Sequence, residues 1–203
     1  MTAPFGHVLT AMITPFDADG NVDHGTAWNL ARHLVEHGSD GIVVGGTTGE
    51  SPTLSSDEKV ALFGTVVEAV GDRGTVVAGT GTYDTRESIE LTERAAGAGC
   101  GAVMAVTPYY SRPSQEGLIA HFTAIAGASD LPVLLYNIPS RTGRRIEVET
   151  LATLAGHPGI VAVKDAVGDL AFTTATRLAV ANDFAIYSGD DVLTLPMMAV
   201  GAS

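Results

Sequence analysis

The chain predicts a parallel α/β fold, and within that class a (β/α)8 barrel. Three observations carry this. Apolar, β-type runs begin at Val8, Ile42, Val76, Ala102, Val133, Ile160 and Phe184. Their spacing of roughly 25–35 residues is that of one strand, one helix and two loops. Segments of helical periodicity fill most of the intervals. Many strands end in polar or reactive residues: Thr14, Thr47-Thr48, Thr80-Gly81-Thr82, Tyr109-Tyr110, Tyr136-Asn137, Lys164-Asp165 and Ser188-Gly189-Asp190-Asp191. A barrel gathers its chemistry at the C-terminal ends of its strands. The competing architecture is an open doubly wound sheet, but no Gly-x-Gly-x-x-Gly follows the first strand. Seven strands are counted and an eighth is expected just after Gly201. Residues 1–203 are therefore expected to form one barrel domain, incomplete at its C-terminus.

Each helix has a start and a stop. After the first strand, Asp23 or His24 opens a helix with Ala27, Trp28, Ala31, Leu34 and Val35 on one face and Gly38 as its stop. After the second, Ser55-Ser56-Asp57-Glu58 is a capping box leading into Val60, Phe63, Val67 and Val70. Asp84-Thr85-Arg86-Glu87 does the same after the third, before Ile89 and Ala96. Ser114 opens a helix carrying Leu118, Phe122 and Ile125. Further helices are expected from about Glu147 to Gly156, and from about Leu170 to Ala181.

Composition narrows the function. With 23 acidic against 11 basic side chains the formal charge is −12. That argues against nucleic acid or an anionic membrane as partner, since both require a basic surface. A small anionic substrate remains possible, because it responds to the local field of its pocket. Cys100 is the single cysteine, so no internal disulfide and no thiolate metal cluster can form. No apolar run approaches ~18 residues and the N-terminus has no secretory pattern. A soluble cytoplasmic protein without a membrane partner is expected.

The run Ile160-Val161-Ala162-Val163-Lys164-Asp165-Ala166 concentrates the chemistry. It reads as a strand buried on both faces, with an amine near its end. An amine taken out of water tends to lose its proton, and a neutral amine attacks carbonyl carbon. Taken alone, Lys164 reads more readily as the strand's exit into solvent. Gly45-Gly46-Thr47-Thr48-Gly49-Glu50-Ser51 offers hydroxyls and main-chain N–H groups suited to a carboxylate or phosphate, or else a plain Gly-rich turn. Tyr110 and Tyr136 end strands, where a phenol can relay protons or simply pack. Arg141 lies in a loop five residues past Tyr136, where a guanidinium suits a carboxylate. Asp190 and Asp191 lack the His or Glu partners of a metal site and read as turn caps or substrate contacts, so no metal is expected.

Together the motifs resemble the dihydrodipicolinate synthase family of the pyruvate-dependent class I aldolases. They are Gly-Thr-Thr-Gly-Glu-Ser at 46–51, Val-Thr-Pro-Tyr-Tyr at 106–110, Arg-Pro-Ser-Gln-Glu-Gly at 112–117, Leu-Tyr-Asn-Ile-Pro-Ser-Arg-Thr-Gly at 135–143, Val-Lys-Asp-Ala at 163–166 and Ser-Gly-Asp-Asp at 188–191. The resemblance covers essentially the whole chain and turns Lys164 from a strand exit into a Schiff-base lysine. It implies a lyase that condenses pyruvate with L-aspartate 4-semialdehyde in lysine and diaminopimelate biosynthesis. It further implies a proton relay of Thr47, Tyr136 and Tyr110, with Tyr110 reaching into a neighbouring subunit of a homo-oligomer. Thr48 with the loop at Gly46 would hold the pyruvate carboxylate, Arg141 the second substrate's carboxylate, and Gly189 and Asp190 would form a neighbouring polar wall. No cofactor is implied beyond the lysine itself. The family's chain continues through an eighth strand and a helical C-terminal domain, so a fragment is expected. The family's lysine feedback site is matched at Ser51, Glu87 and Tyr109 but not at Ser56, Lys59 and Tyr83, so little control by lysine is expected. The alternatives are an aldolase for 2-keto-3-deoxy sugar acids or N-acetylneuraminate, and a non-catalytic keto-acid-binding protein or inactive fragment.

Overall fold

A computed structural model describes residues 3–203. The first two residues of the domain expected over 1–203 lie outside the described residues. Seven strands form a parallel sheet in chain order: β1 (Leu9–Ala11), β2 (Gly41–Val44), β3 (Thr75–Gly79), β4 (Ala102–Val106), β5 (Val133–Asn137), β6 (Ile160–Asp165) and β7 (Ala185–Ser188). Every strand starts within one residue of its expected position. A doubly wound sheet reverses its strand order at a switch point. This order never reverses, which is the barrel sequence of neighbours.

The chain divides into two compact units. The first holds Phe5–Thr80 and Glu90–Met104, and the second mainly Gly81–Ile89 and Ala105–Ser203. In the first, β1 to β4 pair in steps such as Leu9↔Gly41, Ile42↔Val76 and Ala78↔Val103. Helix α1 (His24–Glu36) starts at Asp23, whose carboxylate accepts from Thr26 N. Helix α2 (Ser56–Val70) carries the expected capping box: Ser55 Oγ accepts from Glu58 N, and Glu58 Oε2 accepts from Ser55 N at 2.8 Å. Its buried face differs from the expected one. Lys59, Leu62, Phe63, Val66, Ala69 and Val70 turn inward, while Val60 and Val67 are half-buried. Apolar residues occur on most sides of this helix, so periodicity alone does not single out its inner face. Leu62, Phe63 and Val66 are fully enclosed with Ile42 and Val77. Truncating such a leucine or phenylalanine costs about 2–5 kcal/mol.

In the second unit, β5, β6 and β7 pair so that Tyr136, Lys164 and Tyr187 stand in one cross-strand row. Helix α3 (Thr85–Gly97) begins in this unit, with Asp84 Oδ1 accepting from Arg86 N. Helix α4 (Gln115–Ala126) is capped by Ser114 and buries Leu118, Phe122 and Ile125 as expected. A four-residue turn, α5 (Pro139–Thr142), precedes α6 (Val148–Leu154), α7 (Leu170–Ala179) and α8 (Thr194–Ala199). Ser203 N donates to Ile186 O at 2.8 Å, so the last residue runs beside β7.

Candidate active site

Strand geometry decides where the amine of β6 goes. Successive side chains point to opposite faces. Asp165 Oδ2 accepts from Thr173 Oγ1 of α7 at 2.7 Å, so Asp165 faces the helices and Lys164 faces the other way. On β5, Asn137 likewise faces outward, exchanging hydrogen bonds with Ile146 N and O. Tyr136 therefore shares the Lys164 face. Its carbonyl accepts from both the N–H and the hydroxyl of Thr107, which fixes the end of the strand. Tyr136 is buried, and Lys164 Nζ sits 4.5 Å from the centroid of its ring.

Gly189 makes the room that Lys164 occupies. Its N–H donates to Asp165 O at 2.8 Å, bringing the loop after β7 against the end of β6. A Cβ at this position would lie 2.8 Å from Ala166 Cβ and 3.1 Å from Lys164 Cγ. Burial pushes the Lys164 ammonium below its ordinary proton affinity, with the charge of Asp191 opposing. The consequence is a larger fraction of free amine at neutral pH than a surface lysine has. Asp165 is shifted the other way: burial raises its carboxyl, and the hydrogen bonds from Val167 N and Thr173 partly offset this. Asp190 Oδ1 accepts from Val192 N and so caps the short 3-10 turn Asp191–Leu193, the turn-capping role read from the sequence.

The loop after β2 is built within the first unit. Thr14 Oγ1 donates to Gly49 O at 2.7 Å, Glu50 N to Thr47 O, and Ser51 N to Gly46 O. Glu50 takes the left-handed φ of +57° needed to close the turn. Gly46 is buried, while Thr47 and Thr48 present exposed side chains. The fold thus gathers Gly46, Thr47 and Thr48 on one loop, and Lys164, Tyr136, Gly189 and Asp190 around the end of β6. Tyr110 is 95% exposed, at a left-handed φ of +68°. Arg141 was expected in a loop; it lies instead in α5, which Pro139 opens and Gly143 closes, and it is exposed. Tyr187, not singled out beforehand, belongs near Lys164, paired with it across β6 and β7, and Asp191, read from the sequence as a turn cap or substrate contact, reaches Lys164 with its charge. The Ala185/Tyr187 alternation on β7 was the signal for Tyr187. Among the described residues no group of three or more His, Cys, Asp or Glu side chains is placed to hold a metal ion. No helix among them is long and apolar enough to cross a membrane.

Comparison with known proteins agrees with the fold. The 4-hydroxy-tetrahydrodipicolinate synthase of Acidothermus cellulolyticus is 58% identical over 200 residues, covering 98% of this chain and 64% of that one. A solved dihydrodipicolinate synthase from Bacillus anthracis superposes with a TM-score of 0.97 at 53% identity, covering 99% of this chain and 69% of that one. The Acinetobacter baumannii synthase, solved in complex with pyruvate, matches with a TM-score of 0.93 at 42% identity, over 97% of this chain and 67% of that one. The chain thus spans about two thirds of the length of these relatives. The model of the dihydrodipicolinate synthetase family matches residues 4–203. This chain belongs to that family.

Proposed function

We propose that this chain carries the Schiff-base chemistry of a 4-hydroxy-tetrahydrodipicolinate synthase, joining pyruvate to L-aspartate 4-semialdehyde for lysine and diaminopimelate biosynthesis. The observation that supports it most is the half-buried Lys164 amine over the Tyr136 ring, in a chain of this family. In this reading the free amine of Lys164 attacks the keto carbon of pyruvate, and water leaves to give an imine. Loss of a methyl proton gives the enamine, whose carbon bonds to the aldehyde carbon of the second substrate. That substrate's own amine then attacks the imine carbon, closing the ring and releasing Lys164. Each step moves a proton, and the phenol of Tyr136, the Thr47 hydroxyl and the Tyr110 phenol are the groups assigned to carry it. Thr48 and the Gly46 main chain hold the pyruvate carboxylate, and Gly189 and Asp190 form the wall beside the imine. Arg141 takes the carboxylate of the aldehyde. The extreme exposure of Tyr110 supports a homo-oligomer in which it enters a neighbour's site. The setting proposed is the cytoplasm, where amino-acid precursors of this kind are made.

The test is chemical trapping. Incubation with pyruvate and borohydride should add the reduced pyruvate mass at Lys164. A folded sample with unmodified Lys164 rules the enzyme out. Arg141→Ala should weaken use of aspartate 4-semialdehyde far more than adduct formation with pyruvate; equal, small effects on both would favour an aldolase for sugar-derived keto acids.

A further inference from the structure

The Arg112–Gly117 segment grips the turn that carries Arg141. Gln115 holds the far end of that turn. Its Nε2 donates to Arg145 O at 2.9 Å, and its Oε1 accepts from Glu147 N at 3.2 Å and from Thr150 Oγ1 at 2.7 Å. Arg112 meets the middle. Its guanidinium lies against Gly143, where a Cβ would come 2.9 Å from Nε and 3.1 Å from Nη2. Gly143 closes α5 at a φ of +70°, its N–H donating to Pro139 O. Arg112 itself holds a φ of +47°. A non-glycine residue keeps such a conformation where its surroundings fix it.

Charge makes the arrangement pointed. Arg145 is paired with Glu147 at 2.7 Å and lies over the Phe172 ring. Among the described residues, Arg112, Arg141 and Arg144 have no acidic partner within ion-pair distance. Arg144 also buries its Nε without a hydrogen-bond partner. The charge of Arg144 reaches Glu116, whose carboxyl is held below its ordinary value by its own N–H and the Ser114 hydroxyl, and then by that guanidinium. That leaves three guanidiniums without an ion-pair partner among the described residues on or against this turn, in a chain of charge −12. An anion approaching such a chain needs a local field of positive sign.

We propose that Arg112, pressed against Gly143, positions the Arg141 turn and completes with it a two-cation seat for the carboxylate of the aldehyde substrate. The inference rests on the condensation proposed above. Arg112 is then a specificity-determining residue, and the Arg-Pro-Ser-Gln-Glu-Gly motif is the clasp that sets it.

The experiment compares addition of two amine-free aldehydes to pyruvate-loaded protein, followed by mass: 4-oxobutanoate, which bears a carboxylate, and butanal, which does not. Arg112→Ala and Arg112→Gln should each lower the preference for the carboxylated aldehyde by about tenfold or more, the scale of one charge-assisted contact. Addition of butanal and the pyruvate adduct at Lys164 should change by less than about twofold on that scale. Gly143→Ala pushes on the same contact from the other side and should act alike. The double variant should fall little further than the worse single one, because the two changes break one contact. An unchanged preference, an equal loss for both aldehydes in folded protein, or full additivity overturns the inference. So does a wild-type chain that forms the adduct yet shows no preference between the aldehydes. An unmodified wild-type Lys164 removes the condensation and this inference with it; a normal adduct with unaltered preference in the variants removes the inference alone.

Discussion

Gly189→Ala tests whether the room beside Lys164 is what makes its amine available. The added methyl would stand 2.8 Å from Ala166 Cβ and 3.1 Å from Lys164 Cγ, with Asp165 O at 3.2 Å. Ala166 Cβ cannot swing away, because it is fixed to the backbone at the end of β6. Either the loop after β7 retreats, stretching the 2.8 Å bond from Gly189 N to Asp165 O, or the lysine stem rotates out of its well. Overpacking of this kind costs about 1–3 kcal/mol. For a protein of this size that lowers Tm by roughly 2–12 °C. The chemical effect should be larger in proportion. A shift of about 1 Å in a reacting group can reduce rate by about a hundredfold. The assay is the rate of borohydride-trapped pyruvate adduct at Lys164, followed by mass, beside a thermal melt. We expect a folded protein with a modest loss of Tm and a tenfold to hundredfold slower adduct, on that same scale. A folded Gly189→Ala protein that traps pyruvate at the wild-type rate would refute the argument, because the methyl would then have found space without moving the amine.

Two further outcomes follow from buried polar groups. Thr173→Val keeps shape but removes the donor to Asp165 Oδ2, leaving a buried carboxyl oxygen unsatisfied; urea unfolding should show a loss of about 1–3 kcal/mol, and no loss would mean that the Val167 N–H alone suffices. His121 is buried, with Nδ1 2.8 Å from Thr85 Oγ1 and Nε2 without a partner among the described residues. Burial, opposed by the charge of Asp84, pushes its pKa from 6.5 down to about 4. The unfolded chain therefore takes up a proton between those values that the folded chain refuses, so stability is steady above pH 6.5 and falls as pH drops toward 4. At about 1.36 kcal/mol per pH unit the loss reaches about 3 kcal/mol. Unfolding curves at pH 7, 5 and 4 should show that slope in the wild type and a flatter one in His121→Asn; equal slopes would assign the acid loss to other groups.

What could be read in the sequence is what local chemistry dictates. Ser55 and Glu58 form their capping box because the two side chains satisfy each other's helix-end donors, whatever the rest of the chain does. The strands were legible because β-branched runs bounded by turn residues have few other uses. The inner face of α2 was not, since its Val, Ala, Leu and Phe residues leave no clean polar stripe and the helix buries even Lys59. The α5 turn had its signals, Pro139 at the start and Gly143 at the stop, but four residues are too few for any period to show. Lys164 could be picked out as an odd residue in an apolar run. Tyr136 could be picked out as a phenol at a strand end, but not its ring contact with the amine, because the pairing of Tyr136 with Lys164 is a matter of register, settled by packing across the sheet. The contact of Arg112 with Gly143 was illegible for the same reason: it joins residues 31 apart by way of two loops.

Adjacent Lys164 and Asp165 look on paper like an ion pair, and the strand forbids it. A period of two sends the amine to one face of β6 and the carboxyl to the other. Neither charge neutralises its neighbour, and burial moves both proton affinities toward the uncharged forms: the amine's down, the carboxyl's up. The two faces then treat that cost differently. Asp165 is given hydrogen bonds from Thr173 and Val167, which favour the carboxylate and tie β6 to α7. Lys164 is given the face of an aromatic ring and the more distant charge of Asp191, which steady an ammonium without holding its proton through a close carboxylate. An amine salt-bridged to Asp165 would gain stability and lose nucleophilicity, since an adjacent anion raises its pKa. Placing the acid one residue along the strand supplies an anchor for the backbone of Lys164 while keeping that anion out of the amine's reach.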